Sequence, residues 1–261
     1  MSKIIYIIIA IIIASSIAAP LISPYDPEEI NLDLIKMPPS LDHPFGTDNK
    51  GRDILSRVLY GGRISLSVAL ISAVLSISIG LSVGLIAGYT GGKIDLLLMA
   101  LTDFVLSFPS LLLAIGISII LPPGIYTSMI AITVVGWASF ARLIRSHVLS
   151  IKGMPYIEGA RAIGCGYWRI ILSHILPQCI PLSLVMGGLK LGGFILIEAS
   201  LSFLGLGVQP PTPSWGSMVS FNRVYILSAP WTVIFPGLAI AITALSFNLL
   251  GDILRERYRF D

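Results

Sequence analysis

Charge is scarce in this chain: only 12% of its 261 residues are Asp, Glu, Lys or Arg. That excludes an ordinary soluble domain, in which about a quarter of the residues are charged. Cysteine is nearly absent too. Cys165 and Cys179 match no zinc or redox spacing, and His43, His147 and His174 are scattered, so neither a disulfide scaffold nor a metal centre follows. The sequence has no Gly-x-x-x-x-Gly-Lys-Ser/Thr phosphate loop, so an ATPase of that class is not expected within it. The His-Glu-x-x-His and Gly-x-Ser-x-Gly patterns that would suggest a membrane-embedded hydrolase are also missing. A formal net charge of +3 gives no reason to invoke nucleic acid. No cofactor is expected to bind this chain.

What the sequence has in abundance is hydrocarbon. Hydrophobic residues make up 55% of it, and the mean hydropathy is +0.89. A bilayer core of about 30 Å takes roughly 20 apolar residues per helix. Six such runs occur, at about 4–23, 64–88, 96–121, 126–146, 179–203 and 231–251. The expected fold is an all-α polytopic membrane protein with six transmembrane helices. Leu121-Pro122-Pro123-Gly124 divides the long uncharged stretch from Phe104 to Ala141 into two spans. The first run, with Lys3 before it and Ser16-Ile17-Ala18 near its end, also has the features of a signal peptide. Its length and the nearby Pro20 favour an uncleaved anchor. Residues 1–62 then form an anchor with an outer segment, and 63–261 form a five-helix membrane domain.

Six spans put both termini on one side, with the 89–95 turn and the 147–178 loop. Ten cations fall there: Lys3, Lys93, Arg142, Arg145, Lys152, Arg161, Arg169, Arg255, Arg257 and Arg259. Six fall opposite: Lys36, Lys50, Arg52, Arg57, Arg63 and Arg223. The excess of Lys and Arg in cytoplasmic loops places the termini and the 147–178 loop in the cytoplasm.

That loop carries the densest pattern of small residues. Pro155 suits the first turn of a helix, and Gly164 and Gly166 can supply the left-handed conformation that ends it. A second short helix, from about Tyr167 to Leu176, is expected to stop at Pro177. Glu158 and Arg161 lie three apart and can pair. Gly159, Ala160 and Ala162 keep the helix thin enough for another protein's groove to close on it. Gly159 costs a helix about 1 kcal/mol relative to Ala, a sacrifice that close approach would explain. The competing reading lays this helix on lipid headgroups, with Tyr167 and Trp168 as interfacial anchors.

Glu158-Gly159-Ala160, Gly164 and Leu176-Pro177 resemble the cytoplasmic coupling loop of permease subunits in binding-protein-dependent ABC importers. That family's pattern is Glu-Ala-Ala, three residues, Gly, nine residues and Ile-x-Leu-Pro. Gly159 and His174 depart from it. His43 to Asp48, Gly51 to Arg57, Ser107-Phe108-Pro109, Glu198 to Gly207 and Gln209 to Gly216 are similar to the dipeptide, oligopeptide and nickel branch, in particular to its second, C-type permease. The resemblance covers nearly everything after residue 40. It implies a heterodimer with a homologous B-type permease, two cytoplasmic ATP-binding subunits that use ATP and Mg, an outer substrate-binding protein, and residence in the cytoplasmic membrane. Peptides are the leading substrate class, with nickel and oligosaccharides as alternatives.

Asp103 and Glu198 fall inside spans, where an uncompensated carboxylate costs roughly 2.5–3.5 kcal/mol, so both are candidates for the translocation path or its gate. Arg142 could pair with Asp103, and Glu198 could brace an outer gate. Gly80, Gly84 and Gly88, and likewise Gly188 and Gly192, have the four-residue spacing of closely packed helices. Arg52, Asp53 and Arg57 suggest a short amphipathic helix on the outer surface. A rival of another class is a secondary transporter driven by an ion gradient, but its hallmarks, internal repeats and helices broken near the midplane, are not evident in the sequence. A scaffold that assembles partners without transporting is the third possibility.

Overall fold

A computed structural model describes residues 2–257, and Arg259, counted above among the cations, lies outside them. Every regular element described is helical. The helices are α1 (Ser2–Ile17), α2 (Ala19–Ile22), α3 (Ile54–Thr90), α4 (Gly92–Leu106), α5 (Ser110–Ile120), α6 (Ile125–Ile151), α7 (Pro155–Ala162), α8 (Tyr167–Ile170), α9 (Leu176–Phe203), α10 (Trp215–Asn222) and α11 (Trp231–Arg257). By length and composition, α3, α6, the run Tyr167–Phe203 and α11 can each cross a membrane, and the bent pair α4–α5, counted as one span, brings the number to five against the six expected. The apolar stretch Lys3–Ile17 is shorter, and α2 continues it by one turn.

Helix α3 is one 37-residue rod, about 55 Å long at 1.5 Å per residue. The expected short outer helix around Arg57 is therefore not separate. Asp53 caps α3, its carboxylate accepting from the Ser56 N–H at 2.7 Å, and the helix then continues through Gly61 and Gly62. It does not break there because both glycines receive the indole of Trp215: a Cβ on Gly61 would lie 3.2 Å from it and one on Gly62 2.9 Å. The 62/63 boundary thus falls within a continuous helix.

The four-residue glycine spacing is used for packing inside the subunit. A Cβ on Gly80 would come within 2.4 Å of Phe140, one on Gly84 within 2.7 Å of Ile144, and one on Gly88 within 2.7 Å of Val148. This stripe lets α6 lie directly on α3. Gly192 does the same against Ala244 and Asn248 of α11. Around the contact, Val68, Ala73, Ile132, Val135, Phe140, Phe194 and Ile195 form the main core.

Two proline expectations need correction. The third span is not straight: it bends by 91° at Ser107-Phe108-Pro109, so a broken helix is present after all. Pro109 has no N–H to continue the ladder, and the Ser107 hydroxyl takes the Phe104 carbonyl at 2.7 Å, which closes α4 one turn early. Pro177, conversely, stops nothing. Residues 171–175 form a π turn in which the Leu176 N–H donates to the Ile171 carbonyl five residues back. The widened turn takes up the missing donor of Pro177, and the chain runs on as α9, with Pro181 also inside it.

The segment between α2 and α3 folds over the helix ends farthest from α7. Arg52 and Asp48 pair at 2.7 Å, Arg57 donates to the Pro27 carbonyl at 2.6 Å, and His43 contacts Asp53 at 2.9 Å. Phe45 stacks on Phe235 at 3.9 Å, and the Trp231 indole N–H donates to the Thr47 carbonyl at 3.2 Å, tying the segment to α11.

Candidate functional site

The 147–178 loop is an elbow whose inner face is apolar and whose outer face is bare. Pro155 occupies the first turn of α7, where its missing N–H costs nothing. Ile157 and Ala160 are buried, and they enter a cluster with Leu85 of α3, Ile144, Val148 and Ile151 of α6, and Ile170, Ile171, Ile175 and Cys179 beyond the elbow. Leu176 packs against the edge of the same cluster, while Pro177 is exposed.

A paired set of backbone bonds ends α7. The Gly164 N–H donates to the Arg161 carbonyl at 3.0 Å and the Cys165 N–H to the Ala160 carbonyl at 3.0 Å, with Gly164 at φ +82°. This is a Schellman turn, and it needs a left-handed residue at position 164. Gly166 is extended, at φ −68°, so only Gly164 fulfils the left-handed expectation.

Polar ties lock the elbow to the spans. Lys152 donates to the Gly88 carbonyl at 3.0 Å, Tyr167 shares a 2.6 Å hydrogen bond with Thr90, and Gln178 donates to the Tyr156 hydroxyl at 2.5 Å. The Arg161 guanidinium sits 5.2 Å from the centre of the Tyr89 ring. The expected pairing of Arg161 with Glu158 is not formed, because the aromatic face at the end of α3 takes the guanidinium instead. Displacing α7 must therefore displace the ends of α3, α6 and α9.

The outward face presents Glu158, Gly159, Arg161, Ala162, Ile163 and Gly164, all exposed. A Cβ on Gly159 or Gly164 would meet nothing within 4 Å. Ile163 is 83% exposed and Trp168 61%, an unusual display of apolar surface beside two charges. Glu158 also sits in the first turn of α7, where the helix dipole favours an anion.

Asp103 and Glu198 are placed far apart in character. Asp103 of α4 accepts a hydrogen bond from Arg142 of α6, and the two side chains are 63% and 56% exposed. One layer nearer the elbow, Arg145 forks onto Asp95 with contacts of 2.7 and 2.6 Å. Sequence reasoning considered the first pair and missed the second, although Asp95 and Asp103 lie eight apart on one helical face and Arg142 and Arg145 lie three apart on another.

Glu198 is completely buried. Its Oε1 accepts from the Ser202 hydroxyl at 2.8 Å, and the hydroxyls of Ser65 on α3 and Ser214 at the start of α10 face the same carboxyl. Ser214 and Ser217 cap α10 reciprocally, and the Trp215 indole donates to the Val58 carbonyl at 2.9 Å. Glu198 thus sits where α3, α9 and α10 converge, inside the subunit rather than on its surface.

Residues 80–260 match the family described as the binding-protein-dependent transport system inner membrane component. A dipeptide transport system permease protein, DppC, of Alkalihalophilus pseudofirmus is 45% identical over 250 residues, covering 96% of this chain and 82% of that protein. A glutathione transport system permease protein, GsiD, of Escherichia coli is 43% identical over 257 residues, covering 98% and 84% respectively. Among solved structures, an inward-facing conformation of the MetNI methionine ABC transporter superposes with a TM-score of 0.63 at 20% identity, over 79% of this chain and 98% of that one. An amino acid ABC transporter crystallised with histidines gives 0.59 at 16% identity, over 78% and 94%. At these identities the superpositions establish the fold. The sequence matches go further: this multi-pass membrane protein belongs to the inner-membrane permease family of binding-protein-dependent transport systems.

Proposed function

We propose that this chain is the C-type permease of an ATP-driven peptide importer, with di- and oligopeptides as cargo. The substrate class is supported by relatives at 43–45% identity named for dipeptide and glutathione transport. In this reading it pairs with a homologous B-type permease, two ATP-binding subunits dock from the cytoplasm, and an outer binding protein delivers the peptide. Both termini and the elbow are cytoplasmic. ATP and Mg are used by the partners, and this chain holds no cofactor. The anchor with its outer segment is residues 1–62 and the five-helix domain is 63–261, with α3 shared between them.

One observation carries the mechanism: α7 is bare on its outer face and bound on its inner face to the ends of three spans. Glu158, Gly159, Arg161 and Gly164 form the part gripped by an ATP-binding subunit, Ala160 holds α7 to the spans from its buried inner face, and Leu176 and Pro177 set where α9 leaves it. When ATP draws the two ATPases together, the elbow follows, and α3, α6 and α9 tilt with it. A ridge that is both exposed and rigidly attached transmits displacement, whereas a loose loop would absorb it.

Cysteine cross-linking tests the docking. In the full complex with Cys165→Ser, Ile163→Cys labelled with a maleimide–benzophenone should photocross-link to an ATP-binding subunit, with a yield that changes at least twofold on adding ATP. Leu227→Cys, on the opposite end, should not cross-link. Equal yields at the two positions, or none at Ile163, would refute the docking.

A further inference from the structure

Beside α1 the structure opens a crevice of about 1170 Å³ that the transport mechanism does not use. Its walls are α1 and α3, and Ile195 of α9 and Phe247 of α11 lie at its base. Inside, the lining is mostly hydrocarbon, including Ile13, Ile17, Leu66 and Leu70, with the hydroxyls of Ser16 and Ser67 among it. Polar groups come from the segment after α2 and the first turns of α3: Tyr25, Asp26 and Glu28, with Tyr60 and Arg63. A space that is apolar along its depth and charged at one end has the amphiphilic character of a membrane lipid. Along its apolar depth the polar partners are too sparse to order water throughout, so in a bilayer hydrocarbon enters that part.

The crevice meets the lipid side of the subunit. Ile11 and Ile17 of α1, Leu21 of α2 and Leu70 of α3 all expose more than half of their surface. Helices α1 and α3 touch where a Cβ on Gly62 would come within 2.4 Å of the Ser16 hydroxyl, and Ile5 and Ile9 anchor the rest of α1 in the core. Helix α1 is thus held at both ends, and the crevice is built into the fold.

Charge decides the headgroup. Arg63 is exposed and takes part in no ion pair among the described residues; its guanidinium lies 5.8 Å from the centre of the Tyr60 ring. It stands nine residues into α3, about 14 Å from the outer end of that helix, at a depth from which a long cationic side chain reaches the phosphate layer. Asp26 and Glu28 are also exposed, and the Asp26 carboxylate holds the Glu28 N–H at 2.8 Å. Asp26 and Glu28 stand against Arg63 and the buried Arg57, whose charge couples to Glu28, so cations and carboxylates balance and match a headgroup that carries both signs.

We propose that this crevice is a binding site for a zwitterionic, amine-bearing phospholipid: its acyl chain lies between α1 and α3, its phosphate on Arg63 and its ammonium toward Asp26 and Glu28. The site gives α1 a lipid filler on the face where protein packing is missing.

The test uses the complete reconstituted transporter in phosphatidylethanolamine–phosphatidylglycerol vesicles doped with phosphatidylethanolamine carrying a photoactivatable acyl chain. After irradiation, label should concentrate on 64–70 and fall at least fivefold in Arg63→Glu and in the crevice-filling Leu70→Trp. Arg63→Lys should keep it, and a phosphatidylglycerol probe should label the crevice several-fold less. A photocrosslinking residue at position 70 should then capture lipid. Equal labelling in Arg63→Glu, capture of the paired permease at position 70, or displacement of the label by peptide substrate would each overturn the proposal. The last two would reassign the crevice to a subunit interface or to cargo, and none of these outcomes depends on whether ATP-driven uptake is observed.

Discussion

Replacing Gly164 by valine should abolish ATP-driven uptake and substrate-stimulated ATP hydrolysis while the complex still inserts and assembles. Two features of the residue separate these effects. Its φ of +82° is left-handed, where a residue with a Cβ pays about 1–2 kcal/mol and a β-branched one more. That is a fraction of a typical stability of about 5–15 kcal/mol, and the added side chain meets nothing within 4 Å in this subunit, so insertion survives. What fails is the Schellman turn that sets the direction of the chain leaving α7, together with the clearance for a partner's groove. Asparagine tolerates the left-handed conformation, so Gly164→Asn should keep the turn and retain measurable uptake, roughly tenfold reduced, because the added side chain obstructs docking alone. Wild-type uptake in the valine variant would remove Gly164 from the coupling mechanism.

Asp103→Asn should lower uptake by tenfold or more, and the exchanged pair Asp103→Arg with Arg142→Asp should restore assembly without restoring transport. Asp103 lies eleven residues from the start of α4 and Arg142 nine from the end of α6, so both sit about 14–17 Å inside their helices. Each is more than half exposed in the isolated subunit. Under the proposed function, a charged pair this exposed on the surface of the subunit sits on a water-filled path or against the second permease, because an uncompensated charge at the bilayer centre costs roughly 2.5–3.5 kcal/mol. A peptide carries an ammonium and a carboxylate, and on this reading a pair fixed in orientation on two helices would distinguish its ends. An exchange that recovered full uptake would reduce the pair to a tie between α4 and α6. Glu198, wholly buried against Ser202 near the start of α10, is proposed to brace the gate from inside the subunit.

The legible parts of this fold were those with a local, sequence-contiguous cause. Pro122-Pro123 ends one helix before another begins, Pro155 opens α7, Gly164 closes it, and the Gly80, Gly84 and Gly88 stripe seats α6. Single prolines misled because their effect depends on the neighbouring turn. Pro109 breaks a span, Pro177 follows a π turn and breaks nothing, and Pro181 and Pro236 lie inside continuous helices. Inside a bilayer both faces of a helix are apolar, so the periodicity that marks buried faces in soluble proteins fades. That is why the Asp95–Arg145 fork and the ties from Lys152 and Tyr167 escaped notice: they join residues 50 or more positions apart, and charge spacing on each helix was the only trace they left. The outer segment hid for a different reason. Its position is set by Arg57 and Trp231 reaching across from helices and by the His43–Asp53 contact within it, not by a pattern of its own.

Uptake of labelled di- and oligopeptides into proteoliposomes containing this chain, its paired permease, the two ATP-binding subunits and the binding protein tests the central claim most directly. The account predicts accumulation that requires ATP and every component, and that collapses when Gly164 is replaced by valine. Peptide accumulation by this chain alone under an ion gradient, with no response to ATP, would contradict it.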